Sequence, residues 1–66
     1  MKVFLNGKSV DLPAGLTVAG LVTEKKLNPD TIIIEYNRQL LKKENWPEVV
    51  LKENDRLEIL KFVGGG

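Results

Sequence analysis

Cysteine and histidine are both absent from this chain of 66 residues. Their absence excludes disulfide bonds, zinc sites built from Cys and His, and thiol nucleophiles. It also removes the side chain that most often transfers protons near neutral pH. No apolar run approaches the roughly 20 residues that a membrane helix requires, and Asn6-Gly7 interrupts the first apolar run before a signal-peptide core forms. We therefore expect a cytoplasmic protein with no membrane association.

An excess of either charge is also lacking, because 10 basic and 9 acidic residues give a formal net charge of +1. Nucleic-acid binding needs a basic patch or stripe, which this balance does not favour. The glutamates show no paired spacing that indicates acid–base catalysis. We therefore assign no catalytic side chain and predict that the chain is not an enzyme.

A chain of this length forms one domain, and folding hides only about 60% of the surface that the unfolded chain exposes. A pocket that enclosed a large cofactor would consume most of the core. We therefore expect no cofactor or metal bound by the chain itself, and a monomer when it is free.

The clearest local signal is Asn6-Gly7 between two short alternating runs, which predicts a type I′ β-hairpin over residues 1–12. A two-residue turn sets the register, and the facing pairs are then Met1 with Leu12, Lys2 with Asp11, Val3 with Val10, Phe4 with Ser9 and Leu5 with Lys8. Apolar residues meet on one face and opposite charges meet on the other. This register leaves Phe4 on the face away from the core.

One helix follows, with Thr17 as its predicted N-cap. Val18, Leu21 and Val22 have the i, i+3, i+4 spacing of a buried helical stripe. We expect about three turns and a stop at Asn28-Pro29, because proline disfavours helical geometry at the residue before it.

Three strands are predicted after the helix, at residues 31–36, 39–41 and 56–63, from their β-branched, aromatic and alternating residues. The order of hairpin, helix, strand, short strand and strand indicates an α+β domain. We expect one helix on one face of a mixed four- or five-stranded sheet, with the two ends of the chain adjacent. Trp46 is expected in the core or in a lid over it, with recognition of a partner as the alternative.

Three glycines, Gly64, Gly65 and Gly66, follow the last predicted strand. Glycine has no Cβ, so such a segment can extend into narrow spaces. The reactive group there is the terminal carboxylate of Gly66, which is ionised at neutral pH. It can attack the α-phosphate of ATP to give an acyl-adenylate, which a sulfur or nitrogen nucleophile can capture. The alternative is an inert glycine tail or an expression remnant.

The whole chain resembles the bacterial sulfur-carrier proteins of thiamine thiazole biosynthesis, a ubiquitin-like β-grasp family. The residues that carry this resemblance are 3–7, 16–18, 34–38, 43–46, 54–59 and 62–66. Gly65-Gly66 is specific for carriers that E1-like enzymes activate, although it does not distinguish one carrier from another. Arg38 stands where this family is expected to have a turn glycine, which leaves the type of that turn open.

The resemblance implies a β-grasp domain over residues 1–63 and a flexible glycine tail over residues 64–66. It implies that an E1-like adenylyltransferase adenylates Gly66 with ATP and magnesium. Conversion to a thiocarboxylate would follow, with sulfur from a cysteine desulfurase system, and thiazole synthase would receive that sulfur. The chain would then be a co-substrate.

Phe4, Leu60 and Phe62 are predicted to share the sheet face opposite the helix. They could form an apolar docking patch for the activating enzyme and the synthase, or they could be ordinary scattered surface residues. The basic side chains are expected on a solvated surface, with contact to an acidic groove of the activating enzyme as the alternative; they include Lys25, Lys26, Arg38, Lys42 and Lys43.

Three rival functions remain open from the sequence. The small subunit of molybdopterin synthase would use the same tail chemistry, although the short chain and the ending of residues 63–66 favour thiamine. A ubiquitin-like modifier would form isopeptide bonds with lysines of other proteins. A plain interaction module would have an inert tail.

Overall fold

The computed structural model describes residues 1–62. The elements in chain order are β1 (Lys2–Leu5), β2 (Lys8–Asp11), α1 (Val18–Glu24), a 3₁₀ helix (Pro29–Thr31), β3 (Ile32–Tyr36), β4 (Gln39–Leu41), a second 3₁₀ helix (Lys43–Glu48) and β5 (Arg56–Lys61). The predicted domain boundary at residue 63 and the predicted tail of residues 64–66 lie outside the described residues.

The five strands form one mixed sheet in the order β2-β1-β5-β3-β4. β1 and β5 are parallel, whereas the β1–β2, β3–β4 and β3–β5 pairs are antiparallel. The predicted hairpin register is confirmed, since Val3 faces Val10 and Phe4 faces Ser9. The first and last strands lie side by side within the sheet, but the prediction of adjacent chain ends was wrong. Because β1 and β5 are parallel, Lys2 lies beside Asn54 near the start of β5, whereas Phe62 lies beside Thr31 at the opposite end.

The start of the helix follows the prediction. The Gly20 amide donates to Thr17 Oγ1 at 3.0 Å, which satisfies one of the free amides of the first turn. Val18 and Leu21 are fully buried and Val22 is nearly so. The helix therefore uses its i, i+3, i+4 stripe to cover one face of the sheet.

The predicted end of the helix was wrong. α1 ends at Glu24 and is about two turns long, and Pro29 begins a separate 3₁₀ helix. The chain leaves α1 through Lys26, which has the left-handed φ of 56°. The Lys26 amide donates to the Thr23 carbonyl at 3.0 Å and the Leu27 amide donates to the Val22 carbonyl at 3.1 Å. These two hydrogen bonds form a Schellman motif, which ends the helix before the chain reaches Pro29.

The core lies between α1 and the inner face of the sheet, and the second 3₁₀ helix closes one side. Its buried members are Val3, Val18, Leu21, Val22, Ile32, Ile34, Trp46, Leu51 and Leu57. Trp46 is 4% exposed, and its ring N–H donates to the Leu41 carbonyl at 3.0 Å. A buried indole needs such an acceptor, so the expectation that Trp46 belongs to the core is confirmed.

Candidate functional site

The C-terminal end of β5 leads to the predicted glycine tail, and both of its edges are hydrogen-bonded. On one side the Phe62 amide donates to the Thr31 carbonyl at 3.0 Å, which extends the β3–β5 ladder. On the other side β1 ends at Leu5, and the side chain of Asn6 makes the next hydrogen bonds to β5. Its Oδ1 accepts from the Ile59 amide at 2.7 Å and its Nδ2 donates to the Ile59 carbonyl at 3.2 Å. The sheet therefore fixes the backbone of Ile59 on one edge and of Phe62 on the other.

Gly64, Gly65 and Gly66 lie outside the described residues. Activation at the Gly66 carboxylate and threading of all three glycines into a partner therefore stay predictions.

The predicted docking residues lie on the sheet face opposite α1, which we call the outer face. Side chains alternate along a strand, so buried Leu57 places Glu58 and Leu60 of β5 on the outer face. Leu60 faces Ile33 of β3 in the register. The two are 50% and 39% exposed, and Phe62, two residues beyond Leu60, is 42% exposed.

This apolar area beside the end of β5 includes Ile33, which the sequence reasoning did not single out. The signal was present in the strand, because Ile33 alternates with the buried Ile32 and Ile34. Three consecutive isoleucines are typical of a strand that is buried on both faces, so the sequence did not indicate that Ile33 is exposed.

Phe4 lies on the same outer face but at its other end. Its strand neighbour on β5 is Arg56, and Leu60 lies four residues further along β5, about 13 Å away at the usual strand rise. Lys2 Nζ lies 5.4 Å from the Phe4 ring centroid and the Arg56 guanidinium carbon lies 5.6 Å from it. Phe4 is therefore a half-buried platform under two cations, separated from the apolar area of Leu60. Its part in docking stays a prediction.

Two carboxylates lie between these ends of the outer face. They belong to Glu35 and Glu58, which are directly opposite each other in the β3–β5 register. Like charges at such positions are unfavourable. The outer face thus presents cations, then anions, then apolar side chains along β5.

A carboxylate that the sequence reasoning missed lies beneath the cationic end. Asp55 is only 9% exposed, and its Oδ2 accepts from the Tyr36 hydroxyl at 2.7 Å and from the Lys52 amide at 2.8 Å. Its Oδ1 accepts from Asn37 Nδ2 at 3.4 Å. Burial, together with the hydrogen bond and the negative charge of Asp55, raises the pKa of Tyr36 to about 12. Asp55 therefore joins the 37–38 turn to the start of β5.

The turn between β3 and β4 is settled by its backbone. Asn37 and Arg38 have φ of 49° and 73°, and positive φ at both central residues is the mark of a type I′ turn. Arg38 thus adopts the left-handed conformation that the expected glycine would have adopted without strain.

No group of three or more candidate metal ligands occurs within residues 1–62. Across those same residues, no helix has the length and apolar character needed to cross a membrane.

The architecture defines the class of the domain. One main helix covers a mixed five-stranded sheet whose first and last strands are parallel neighbours, and this is the arrangement of a β-grasp domain. The ThiS family model matches residues 3–66, and the chain belongs to that family.

Known proteins agree with this assignment. The chain is 38% identical over 63 residues to the sulfur carrier protein ThiS of Bacillus subtilis, covering 94% of this chain and 96% of that protein. The crystal structure of the thiamine biosynthesis protein ThiS from Geobacter metallireducens superposes with a TM-score of 0.87 and 29% identity, covering both chains completely. The predictions of family and of β-grasp fold are confirmed, and the matches support a sulfur-carrier role in thiazole biosynthesis.

A longer relative matches as well. The chain is 35% identical over 66 residues to a thiazole synthase of Magnetococcus marinus. The match covers all of this chain and 20% of that protein, so the chain spans about one fifth of the length of this relative.

Proposed function

We propose that this chain is a sulfur carrier for the thiazole moiety of thiamine and that the sulfur is carried on the α-carboxyl carbon of Gly66. The observation that carries the proposal is the ThiS family match, which extends through the three glycines to residue 66. The Bacillus relative, similar over nearly its whole length, is itself a sulfur carrier protein.

The proposed chemistry takes place at the C-terminal carboxylate. A carboxylate oxygen attacks the α-phosphate of ATP, pyrophosphate leaves, and an acyl-adenylate forms. Sulfur at the oxidation level of sulfide then attacks the acyl carbon, and the bond from that carbon to the AMP oxygen breaks. A persulfide donor would need a thiol to reduce the resulting acyl disulfide. Because the chain contains no cysteine, the sulfur is held only on this acyl group.

The chain acts in this scheme as a co-substrate. ATP and magnesium belong to an E1-like adenylyltransferase, and a cysteine desulfurase system supplies the sulfur. Both partners and the reaction would be cytoplasmic. The chain contributes a rigid β5, bonded on both edges, and the tail that follows it.

Thiazole synthase is proposed as the acceptor of the sulfur. The Magnetococcus relative that bears this name contains a match to the whole of this chain in a fifth of its own length. A carrier-like region within one polypeptide with a synthase supports direct transfer between the two functions. This observation also favours the thiamine pathway over molybdopterin synthesis.

The apolar area of Ile33, Leu60 and Phe62 is proposed to dock these partners. It lies beside the end of β5, so a partner seated on it also contacts Phe62, the last described residue. Burying such side chains against a partner contributes about 25 cal/mol of binding free energy per Å² of apolar surface removed from water. The predicted contribution of Phe4 would come from a second contact at the other end of the outer face.

The test is the intact mass of the chain after incubation with the host's E1-like adenylyltransferase, ATP-magnesium and a sulfur source. We expect one oxygen to be replaced by sulfur at Gly66, and no change without ATP. A chain lacking Gly65-Gly66 is the matched control and should stay unmodified. An unchanged mass with an enzyme that is active on another carrier would contradict the proposal. Isopeptide adducts to other proteins would instead support a modifier.

A further inference from the structure

A pocket opens at the cationic end of the outer face, well away from the end of β5. Its lining residues are Phe4, Gly7, Arg38, Arg56, Leu57 and Glu58. Two guanidinium groups and one carboxylate therefore border an aromatic ring. The net charge of this lining is positive.

The backbone under both arginines is held firmly. The Arg56 amide donates to Asn37 Oδ1 at 2.9 Å, and the Asn37 amide donates to the Arg56 carbonyl at 2.8 Å. The buried Asp55 ties Asn37 and Tyr36 to the same place, and its carbonyl accepts from the Phe4 amide at 2.8 Å. The Phe4 ring lies under the Arg56 guanidinium. The backbone of the pocket and the Arg56 side chain over Phe4 are thus preorganised, which reduces the entropic cost of binding.

Neither arginine of the pocket forms a salt bridge within residues 1–62. The salt bridge found there joins Lys43 to Asp30 at 2.5 Å, on another part of the surface. Neither Arg38 nor Arg56 has a carboxylate of the described residues within 4.0 Å. Guanidinium groups bind carboxylates through two parallel N–H donors, so both arginines retain this capacity for a ligand.

The backbone conformation of Arg38 also supports a binding role for this pocket. Arg38 holds a left-handed φ of 73°, a conformation that a side chain with a Cβ adopts only at a cost. Glycine would relieve that cost but would remove the guanidinium from the rim. Backbone strain of this kind persists where the surrounding structure enforces it, and it is frequent at binding sites.

We infer that this pocket binds one aspartate or glutamate side chain of a partner protein. Arg38 and Arg56 would pair with the carboxylate and the edge of the Phe4 ring would contact its methylene groups. Glu58 opposes the entry of further negative charge, which fits a single carboxylate better than a polyanion. The identity of the partner rests on the proposed function and is the adenylyltransferase or the thiazole synthase.

Charge-altering variants test the pocket. Arg38→Glu and Arg56→Glu reverse a charge within it, whereas Lys42→Glu makes the same change in net charge outside it. Glu58→Gln removes the opposing charge. Affinities for both enzymes are measured by calorimetry at low and raised salt, after circular dichroism has shown that each variant is folded.

We expect each arginine reversal to weaken binding to one enzyme at least about tenfold more than Lys42→Glu does. Glu58→Gln should tighten the same binding. The arginine effects should shrink at raised salt. Arginine reversals that match Lys42→Glu for both enzymes would overturn the inference while leaving the carrier function intact.

A wild-type chain that binds neither enzyme and gains no sulfur contradicts the proposed function, and the pocket is then judged alone. The probe is a terminally blocked tripeptide, Gly-Glu-Gly, with Gly-Gln-Gly as control and the amide NMR shifts of residues 4, 38 and 56 as readout. Shifts with the glutamate peptide only would support the inference. Equal shifts with both peptides, or larger shifts with inorganic phosphate, would overturn it.

Discussion

The side chain of Asn6 makes two hydrogen bonds with the main chain of Ile59, 53 residues further along the sequence. The side-chain amide of Asn6 thus acts as both donor and acceptor toward Ile59, as the backbone of one more residue of β1 would have done. Asn6 is also the first residue of the hairpin turn, with φ of 50° followed by Gly7 at 84°. The same residue therefore reverses the first hairpin and continues the pairing of β5.

Asn6→Gly separates these two roles, because glycine keeps the turn and loses both side-chain bonds. We expect the free energy of unfolding to fall by about 1–2 kcal/mol and amide exchange at Ile59 to accelerate. Urea unfolding and hydrogen exchange measure the two effects. Asn6→Asp keeps the acceptor for the Ile59 amide, so that amide should stay protected. Equal protection of Ile59 in Asn6→Gly and in the wild type would contradict the role assigned to the side chain.

The raised pKa of Tyr36 predicts that the folded chain loses stability at alkaline pH. This pKa is about 12 in the folded chain and near 10 in an unfolded chain. The unfolded state therefore loses the proton first, and the stabilisation linked to it is present below pH 10 and is lost as pH rises from 10 to 12. Tyr36→Phe should abolish this part of the decline.

The measurement is the free energy of unfolding of both chains between pH 8 and about 12, taken as a difference between them. All other side chains are the same in both proteins, so the difference isolates Tyr36. A difference that does not change with pH would show that neither burial nor Asp55 raises the pKa of Tyr36.

The helix end offers a pair of glycine substitutions with opposite effects. Lys26 is left-handed at φ 56°, whereas Lys25 is right-handed at φ −84°. Lys26→Gly should raise the free energy of unfolding by about 1 kcal/mol, because glycine adopts this conformation without strain. Lys25→Gly should lower it by a similar amount. Thermal unfolding of both variants provides the test, and changes of equal sign would refute the assigned ending.

Leu60→Lys tests the proposed docking area. Leu60 is 50% exposed on the outer face, so a charged side chain there should leave stability within about 0.5 kcal/mol but weaken binding of the adenylyltransferase or the synthase by roughly tenfold or more. Val50→Lys, at 47% exposed and outside the named strands, is the control. Phe4→Lys tests the other end of the face. Unchanged affinity of Leu60→Lys for both enzymes would remove the area from the docking surface.

Local signals in the sequence were sufficient for much of the fold. The Asn6-Gly7 turn determines the hairpin register because only two residues connect the strands and a one-residue slip would expose Val3. Thr17 and the stripe of α1 were recognisable for similar reasons. The glycines and the matching motifs were sufficient for the family.

Other features depend on contacts that no local pattern reports. The left-handed Lys26 ends α1 without glycine, and proline could indicate only where a helix must have stopped. The separation of Phe4 from Leu60 follows from the parallel register of β1 with β5, which no turn sets. The role of Asp55 was missed because its partner Tyr36 is 19 residues away in the sequence.

The central place of β5 has a consequence for biosynthesis of the chain. Before β5 emerges from the ribosome, β1–β2 and β3–β4 are two separate hairpins with no strand to join them. Hairpins of this size are marginal alone in water. The nascent chain therefore completes its sheet in one late step, by inserting its last strand between elements made earlier. A nascent chain that stops before Leu57 would remain a substrate for proteases and chaperones.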